Sequence, residues 1–242
     1  MSKQQFVIGR AIILIGTLKP SRTLSNTSVL CELLAEQLLP FSIPCELVRL
    51  ADYRILPGTQ TTLSTPDDWP KLLKKILASD VIIFATPIWW GGRSSLMQRI
   101  IERMDALDEE YLASGRSALL NKVAGIVITG TEDGAQATLS GIMEVLTFMN
   151  FTLPPQCCAY WVGEVGADTK TERERRLANK ATAHMAMTLM SIRACNFVRS
   201  TRGSSIAPKC SRISVRGESV MAILFALVGD SLYLLTLCIV PI

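Results

Sequence analysis

The stretch DVIIFATPIWWGG, residues 80–92, decides the fold. After Asp80 it is an unbroken apolar run rich in β-branched side chains, which is typical of a strand buried on both faces of a parallel sheet. The run then reaches Pro87, two adjacent tryptophans and two adjacent glycines. We therefore predict a buried strand followed by a loop that carries large flat side chains beside flexible backbone.

Four other segments are also predicted to be strands, and helical patterns alternate with them. Strands are predicted over residues 11–16, 45–50, 80–85, 122–130 and 155–161. Helices are predicted over residues 25–39, 67–79, 94–107, 134–149 and 171–198. Such alternation requires right-handed crossovers and gives a parallel sheet with helices on both faces. The predicted fold class is α/β, a doubly wound fold with a five-stranded parallel sheet.

Doubly wound sheets bind ligands at the carboxyl ends of their strands, near the point where the strand order reverses. Three loops follow predicted strands at this edge: residues 16–27, 86–92 and 129–135. Because they converge on one edge, together they are better evidence for a ligand site than any single loop.

The first loop, GTLKPSRTLSNT (16–27), indicates a site for one phosphate group. It contains neither the GK[ST] of a nucleoside triphosphate loop nor the G-x-G-x-x-G of a dinucleotide site. Its hydroxyl and amide side chains run into a predicted helix start, where free N–H groups and the helix dipole favour an anion. Lys19 and Arg22 could balance the charge. An ordinary capped helix after a polar loop explains the same residues equally well.

In the second loop, Trp89 and Trp90 offer flat faces on which an aromatic ring can stack. Alternation along a strand predicts that one indole turns outward while its neighbour packs inward. The alternative is a corner of the core filled by two aromatic residues. The position directly beyond a buried strand favours the ligand interpretation.

The third loop, TGTEDGA (129–135), again follows a strand and contains glycine. Glu132 and Asp133 stabilise the start of the next helix through its dipole and disfavour a second phosphate. Backbone amides around Gly130 and Gly134 could bind the polar edge of a heterocycle. Together, the three loops fit a mononucleotide whose base is an aromatic ring.

Composition argues against several other classes of protein. The net charge of +4 is not gathered into a basic stripe, so no nucleic-acid partner is expected. Seven cysteines without a CxxC spacing argue against a disulfide framework and a cysteine-held metal. The one histidine, His184, has no partners for a metal site, and no G-x-S-x-G elbow is present. A polar N-terminus without a signal-peptide pattern predicts a cytoplasmic location.

Three segments resemble the flavodoxin-like NAD(P)H-dependent FMN reductase family, which includes flavodoxin-like quinone and azo reductases. They are GTLKPSRTLSNT, TPIWWGGRSSLMQRIIERMD, and VITGTEDGAQ with the later FMNFTLPPQCCAYW. The resemblance covers residues 9–198. It implies a flavodoxin-like fold, FMN as cofactor, and NADH or NADPH as co-substrate.

The resemblance also implies candidate residues around the flavin. These are Thr17, Lys19, Ser25, Asn26 and Thr27 near the phosphate, Pro87, Ile88, Trp89, Trp90, Gly91 and Gly92 against the ring, and Thr129, Gly130, Asp133 and Gly134 at its remaining edge. No catalytic side chain and no metal are expected, because the flavin N5 is the reactive centre. Many relatives dimerise across the cofactor edge, so a homodimer is compatible with the resemblance.

The expected function is an FMN-dependent oxidoreductase that takes hydride from NAD(P)H and passes electrons to a quinone, a flavin or a similar small acceptor. Two alternatives stay open. One is an electron-carrier flavoprotein without pyridine-nucleotide activity, and the other is a flavodoxin-fold binding or regulatory module that has lost the cofactor. The lack of a cysteine cluster separates this chain from iron–sulfur flavoproteins of the same fold.

The end of the chain differs in character from the predicted domain of residues 1–198. Residues 199–219 are basic and rich in serine and glycine, which predicts a flexible linker. Residues 220–242 are apolar over a length that could cross a membrane as a helix, although Asp230 near the middle opposes insertion. A membrane anchor, an atypical extension and a soluble packed helix all stay open.

Overall fold

The computed structural model describes residues 9–41, 43–131, 134–162 and 180–189, together with the backbone of residues 223–228 and 231–236. The chain divides into two compact units, Met1–Thr201 and Arg202–Ile242. All the predicted site residues belong to the first unit.

Strands and helices alternate along the first unit. The strands are β1 (Ala11–Ile15), β2 (Cys45–Arg49), β3 (Val81–Trp89), β4 (Gly92–Arg93), β5 (Val123–Gly130) and β6 (Cys158–Val162). The helices are α1 (Asn26–Leu38), α2 (Trp69–Leu77), α3 (Ser95–Met104), α4 (Ala106–Ser114), α5 (Ala135–Phe148) and α6 (residues 180–189).

Five of these strands form a parallel sheet in the order β2-β1-β3-β5-β6. Ile13 of β1 pairs with Leu47 on one side and with Ile83 on the other. The strand order therefore reverses between β1 and β3, and the loops after these two strands flank the crevice where doubly wound sheets bind ligands. The predicted five-stranded doubly wound sheet is confirmed.

The strands send successive side chains into two hydrophobic cores, one on each face of the sheet. Ile12, Leu14 and Phe84 belong to the core that includes residues of α2, α3 and α5. Ile13 and Ile83 belong to the core that includes residues of α1 and α6. Because both faces are covered, β1 and the first five residues of β3 are apolar at every position, which explains these unbroken apolar runs.

Several predicted boundaries were wrong. The strand predicted over 80–85 extends to Trp89 as β3. The helix predicted over 94–107 is two helices, α3 and α4, and α4 ends where Gly115 adopts a φ of 69°. Of the helix predicted over 171–198, only residues 180–189 are described, and they are helical.

In the second unit, the described backbone is a β-hairpin. β7 (Ile223–Val228) and β8 (Ser231–Thr236) pair antiparallel, whereas the sequence analysis left a membrane anchor, an atypical extension and a soluble packed helix open for residues 220–242. The sequence does carry a hairpin signal, because the dipeptide Gly229-Asp230 separates two apolar runs by two residues. Within the described residues, no helix is both long and apolar enough to span a membrane. The linker of residues 199–219 lies outside the described residues.

Candidate functional site

A cavity of about 330 Å³ lies at the carboxyl ends of β1, β3 and β5. Residues of all three predicted loops line it: Thr17, Leu18, Lys19, Ser25, Asn26, Thr27, Pro87, Ile88, Trp89, Thr129, Gly130 and Thr131. The loops meet because parallel neighbouring strands end at the same edge of the sheet.

The start of α1 forms one wall of this cavity. Ser25 caps the helix with extended backbone, and its side-chain oxygen accepts a hydrogen bond from the N–H of Ser28 at 3.5 Å. The first N–H groups of a helix have no partner within the helix and carry the positive end of its dipole. Ser25, Asn26 and Thr27 line the cavity at this point. This wall therefore has the chemistry of an anion site.

Lys19 lines the cavity while its own loop holds its ammonium group. Its Nζ donates to the carbonyl oxygen of Leu24 at 3.2 Å, and its backbone N–H donates to Oγ1 of Thr17 at 3.4 Å. The side chain therefore stabilises the turn of the first loop and keeps a positive charge beside the cavity.

A hydrogen bond joins the first loop to the third among the residues that line the cavity. Oγ1 of Thr27 lies 2.7 Å from Oγ1 of Thr129, and both side chains are buried. The start of α1 and the end of β5 are thus held in register with each other. A buried hydroxyl left without this partner would cost about 1–3 kcal/mol, so the pair favours one arrangement of the two loops.

Ser94 supports the site without lining the cavity, and the sequence reasoning did not single it out. Its Oγ donates to the carbonyl of Gly16 at 2.6 Å and accepts the N–H of Met97 at 3.2 Å. Its own N–H donates to Oγ1 of Thr86 at 2.9 Å. Ser94 therefore ties the ends of β1 and β3 to the start of α3. A serine just before a predicted helix was the available signal.

The stretch Trp89–Gly92 is a hairpin, and the predicted inward and outward pair of indoles was wrong. β3 continues through Trp89 and turns at Trp90 and Gly91, where φ is 49° and 76°, before returning as β4. Positive φ at both central residues is typical of a tight two-residue hairpin turn. Trp89 is 50% exposed and Trp90, at the tip, is 93% exposed. Neither indole fills the core.

The hairpin packs on the start of α5 through two glycines. A Cβ on Gly134, which has a φ of +120°, would lie 2.6 Å from the Cα of Gly91. Oγ1 of Thr138 contacts the carbonyl of Gly91 at 3.4 Å, and the guanidinium of Arg93 donates to the carbonyl of Gly141 at 3.1 Å. Gly91 and Gly134 therefore serve backbone packing, which positions the hairpin.

The structure thus divides the predicted cofactor residues into two groups. Ten line the cavity, namely Thr17, Lys19, Ser25, Asn26, Thr27, Pro87, Ile88, Trp89, Thr129 and Gly130. Four lie in the hairpin or against it without lining the cavity, namely Trp90, Gly91, Gly92 and Gly134. Asp133 lies outside the described residues.

Other reactive side chains lie away from this cavity. His184 is exposed on α6. Burial raises the pKa of the Cys45 thiol to about 12 and that of Cys157 to about 11, and it also raises the pKa of Cys31. Among the described residues, no group of histidine, cysteine, aspartate and glutamate is arranged to hold a metal ion.

The sequence model of the family described as NADPH-dependent FMN reductase matches residues 10–164, well over half of the chain. The chain belongs to the NADPH-dependent FMN reductase family. This confirms the family predicted from the three sequence segments.

Two relatives and one solved structure are similar to this family member. It is 30% identical over 193 residues to the divalent metal cation transporter MntH of Mycobacterium bovis, covering 76% of this chain and 28% of that protein. It is 31% identical over 166 residues to the 8-demethyl-8-aminoriboflavin-5'-phosphate synthase of Streptomyces davaonensis, covering 65% of each. The chain thus spans less than two thirds of either relative. The structure of RosB with bound 8-demethyl-8-formylriboflavin-5'-phosphate superposes with a TM-score of 0.66 at 24% identity, covering 92% of this chain and 98% of that one, which shows the flavodoxin-like fold.

The residues present fit FMN, which carries one phosphate and a flat aromatic ring. The hydroxyl-rich start of α1 suits the phosphate, and the half-exposed indole of Trp89 beside Pro87 suits the ring. A Cβ on Gly130 would lie 2.7 Å from Cδ1 of Ile88, so only glycine lets the end of β5 approach β3 this closely.

Proposed function

We propose that the protein binds FMN in this cavity and takes hydride from NADH or NADPH to reduce a quinone, a flavin or a similar small acceptor. The observation that carries the proposal is the meeting of three chemically different loops in one cavity. One supplies hydroxyls at a helix start, one an aromatic wall and one a glycine at a strand end. Bound FMN supplies the redox chemistry, and the protein supplies binding and orientation.

Within this proposal, each wall of the cavity has one task. Thr17, Ser25, Asn26 and Thr27 bind the phosphate, with Lys19 balancing its charge. Pro87, Ile88 and Trp89 hold the ring, and Thr129 and Gly130 bind its polar edge. Of the described residues that line the cavity, Lys19 is the one with a titratable side chain. This agrees with a reaction that requires no protein acid or base.

The visible spectrum of the purified full chain, followed by NADH and NADPH titration with a quinone acceptor, tests the proposal. We expect flavin absorbance and oxidation of at least one pyridine nucleotide. Bound FMN without NAD(P)H oxidation would instead support the electron carrier. Protein that stays colourless after FMN addition would contradict the proposal and support a module without cofactor.

Replacement of Asn26 by Asp tests the phosphate end, because it adds a negative charge with almost no change of shape. We expect FMN affinity to fall about tenfold or more, since one hydrogen bond to a charged group contributes about 1.5–3 kcal/mol. Riboflavin, which has no phosphate, should bind nearly as before. Asn121→Asp, in an exposed turn, is the matched control. Equal losses for FMN and riboflavin would place the phosphate elsewhere.

The two tryptophans test the ring end. Trp89 lines the cavity, whereas Trp90 lies at the exposed hairpin tip. Trp89→Ala should weaken the binding of both FMN and riboflavin and change the visible spectrum of the bound flavin. Trp90→Ala should do so much less. The reverse order would show that the tip folds over the flavin.

A second candidate function is chemical modification of FMN itself. It is favoured by the similarity to a protein named 8-demethyl-8-aminoriboflavin-5'-phosphate synthase, and by the superposition on RosB across 92% of this chain. The two functions differ in the fate of the flavin. Mass spectrometry of FMN after incubation with the protein and NADPH should show an unchanged mass for a reductase. A flavin of altered mass would favour the second function.

The proposed homodimer, the cytoplasmic location and membrane contact through residues 220–242 stay predictions. A homodimer predicts a solution mass of twice 26.5 kDa for the full chain. The electron acceptor is the remaining part of the proposal, and the quinone assay, repeated with free flavin as acceptor, identifies its class.

A further inference from the structure

Arg49, the last residue of β2, is bonded to the back of the first loop. Its Nη1 donates to the carbonyl oxygens of Pro20 and Thr23, at 2.6 and 2.7 Å. Its Nη2 donates to Oγ of Ser28, in the first turn of α1, at 2.5 Å. One guanidinium thus connects the middle of the loop, its end and the helix that follows. The planar fork of arginine suits such divergent acceptors, whereas a lysine ammonium is a compact point charge.

Asp52, three residues further along the chain, holds the same loop from a second point. One of its carboxylate oxygens accepts the N–H of Ser21 at 3.0 Å, and the other accepts the hydroxyl of Ser21. These hydrogen bonds from Ser21 lower the pKa of the Asp52 carboxyl, so it is ionised at neutral pH. The two residues together bond to Pro20, Ser21 and Thr23.

The middle of the loop, residues 18–24, makes few other contacts within the described part of the chain. Residues 18–24 are exposed, so they gain little from packing in the core. Apart from the bonds to Arg49 and Asp52, the bonds that residues 18–24 make among the described residues are the turn bond from the N–H of Thr23 to the carbonyl of Pro20 and the two bonds of Lys19. An exposed segment with few buried contacts opens easily unless specific bonds hold it. Arg49 and Asp52 supply such bonds.

Neither Arg49 nor Asp52 is among the described residues that line the candidate flavin cavity. They line a separate cavity of about 520 Å³, together with Ser21, Ser28 and others. The loop therefore has two sides with different tasks. Thr17, Lys19 and Ser25 line the candidate FMN site. Pro20, Ser21 and Thr23 are instead bonded to Arg49 of β2 and to Asp52 in the turn after it.

We propose that Arg49, assisted by Asp52, is a positioning residue for the FMN phosphate. It acts through the first loop, which it holds in the conformation that aligns the hydroxyls of Thr17 and Ser25 with the start of α1. This inference rests on the proposed function, because it assumes that the phosphate binds at that loop. The guanidinium also adds positive charge beside the first turn of α1, where the helix dipole already favours an anion.

The test compares FMN with riboflavin in Arg49→Gln, Arg49→Lys and Asp52→Asn, by titration of flavin fluorescence. Arg49→Gln should weaken FMN about tenfold or more, which corresponds to about 1.4 kcal/mol per decade, and riboflavin less than about twofold. Arg49→Lys should fall between the wild type and Arg49→Gln, since it keeps the charge but not the fork. Asp52→Asn, at an exposed position, should weaken FMN by a smaller factor. Arg54→Gln is the matched control, an exposed arginine whose side chain makes no hydrogen bond within the described residues, and it should match the wild type.

A second readout does not depend on flavin. In the flavin-free protein, trypsin should cut after Arg22 faster in Arg49→Gln than in the wild type, because the loop opens more often. Equal losses of FMN and riboflavin affinity, or unchanged FMN affinity and unchanged cleavage, would overturn the inference. If the wild type and Arg49→Gln bind FMN equally well, only the role of Arg49 is refuted. A wild type that does not bind FMN at all refutes the proposed function and this inference together.

Discussion

The buried ion pair of Arg103 and Asp67 allows a quantitative test of how the segment after β2 is held to α3. The side chain of Arg103 is fully buried and that of Asp67 is 2% exposed, and Nη2 of the arginine lies 2.7 Å from Oδ2 of the aspartate. The guanidinium donates to the carbonyls of Leu56 and Thr61 and lies 5.7 Å from the ring centroid of Trp69. The guanidinium of Arg103 thus contacts residues 56, 61 and 67 and holds them against α3.

The charges of Arg103 and Asp67 compensate each other in the buried environment, although the guanidinium and the carboxylate are not aligned for a hydrogen bond. Oδ1 of Asp67 accepts the N–H groups of Leu56 and Trp69, each at 3.2 Å. Its Oδ2 contacts the guanidinium without hydrogen-bond geometry, and Nε of Arg103 has no hydrogen-bond partner within the described residues. The contact is therefore mainly electrostatic. In a buried environment, either charge left alone is costly, whereas removing both relieves the desolvation of both.

Three variants measure this dependence. Asp67→Asn leaves the guanidinium without its counter-ion, and Arg103→Met leaves the carboxylate alone. Each should lower the free energy of unfolding by about 3–5 kcal/mol, a large part of the 5–15 kcal/mol typical of a domain. The double variant keeps an apolar side chain against Trp69 and contains neither charge. The double variant should lower the free energy of unfolding by about 2 kcal/mol or less, far below the sum of the two single effects.

Urea unfolding of the flavin-free protein, followed by circular dichroism and tryptophan fluorescence, gives these free energies. Lys71→Gln is the control, because the pair of Lys71 and Asp68 on the same segment is solvent-exposed, with Nζ and Oδ1 3.3 Å apart. It should cause no measurable change, since exposed pairs contribute little. A double variant whose cost equals the sum of the two single costs would refute the reasoning. So would an Asp67→Asn variant as stable as the control.

Two further predictions concern backbone packing and thiol reactivity. In Gly134→Ala the new methyl group meets the backbone of Gly91. The positive φ alone costs about 1–3 kcal/mol, so the free energy of unfolding should fall by more than that amount. FMN binding should also weaken. Gly115→Ala, with φ +69° and open space around it, isolates the backbone cost, so equal unfolding free energies for the two variants would contradict the packing argument. With its pKa raised to about 11, Cys157 has a thiolate fraction of about a thousandth at pH 8, rising about tenfold per pH unit. Peptide mapping after iodoacetamide treatment should show slow alkylation in the folded protein and fast alkylation in urea, and a rate at pH 8 typical of a free thiol would be inconsistent with burial.

The sheet was predictable because strands buried on both faces must be apolar at every position, as residues 11–15 and 81–85 are. The extension of β3 to Trp89 was not predictable, because Pro87 lacks an N–H group and a proline normally indicates that a strand is ending. In the structure Pro87 pairs with Thr129 and the strand continues to Trp89. The C-terminal hairpin was missed for another reason. Length and apolarity do not distinguish one helix from two strands, and only Gly229-Asp230 carried the turn signal.

The residues that shape the candidate site without lining it were harder to find than those that line it. Hydroxyls before a helix and glycines after a strand are local signals, and they led to most of the cavity wall. Ser94 bonds to Gly16, 78 residues away, and Arg49 bonds to Ser28, 21 residues away. No local pattern links such partners, because their contact depends on which strands become neighbours. Arg49 could be recognised only once β2 was placed beside β1, with its end against the back of the first loop. If Arg49 proves to control the affinity for FMN, then the edge strand of the sheet contributes to cofactor binding through the loop that it holds.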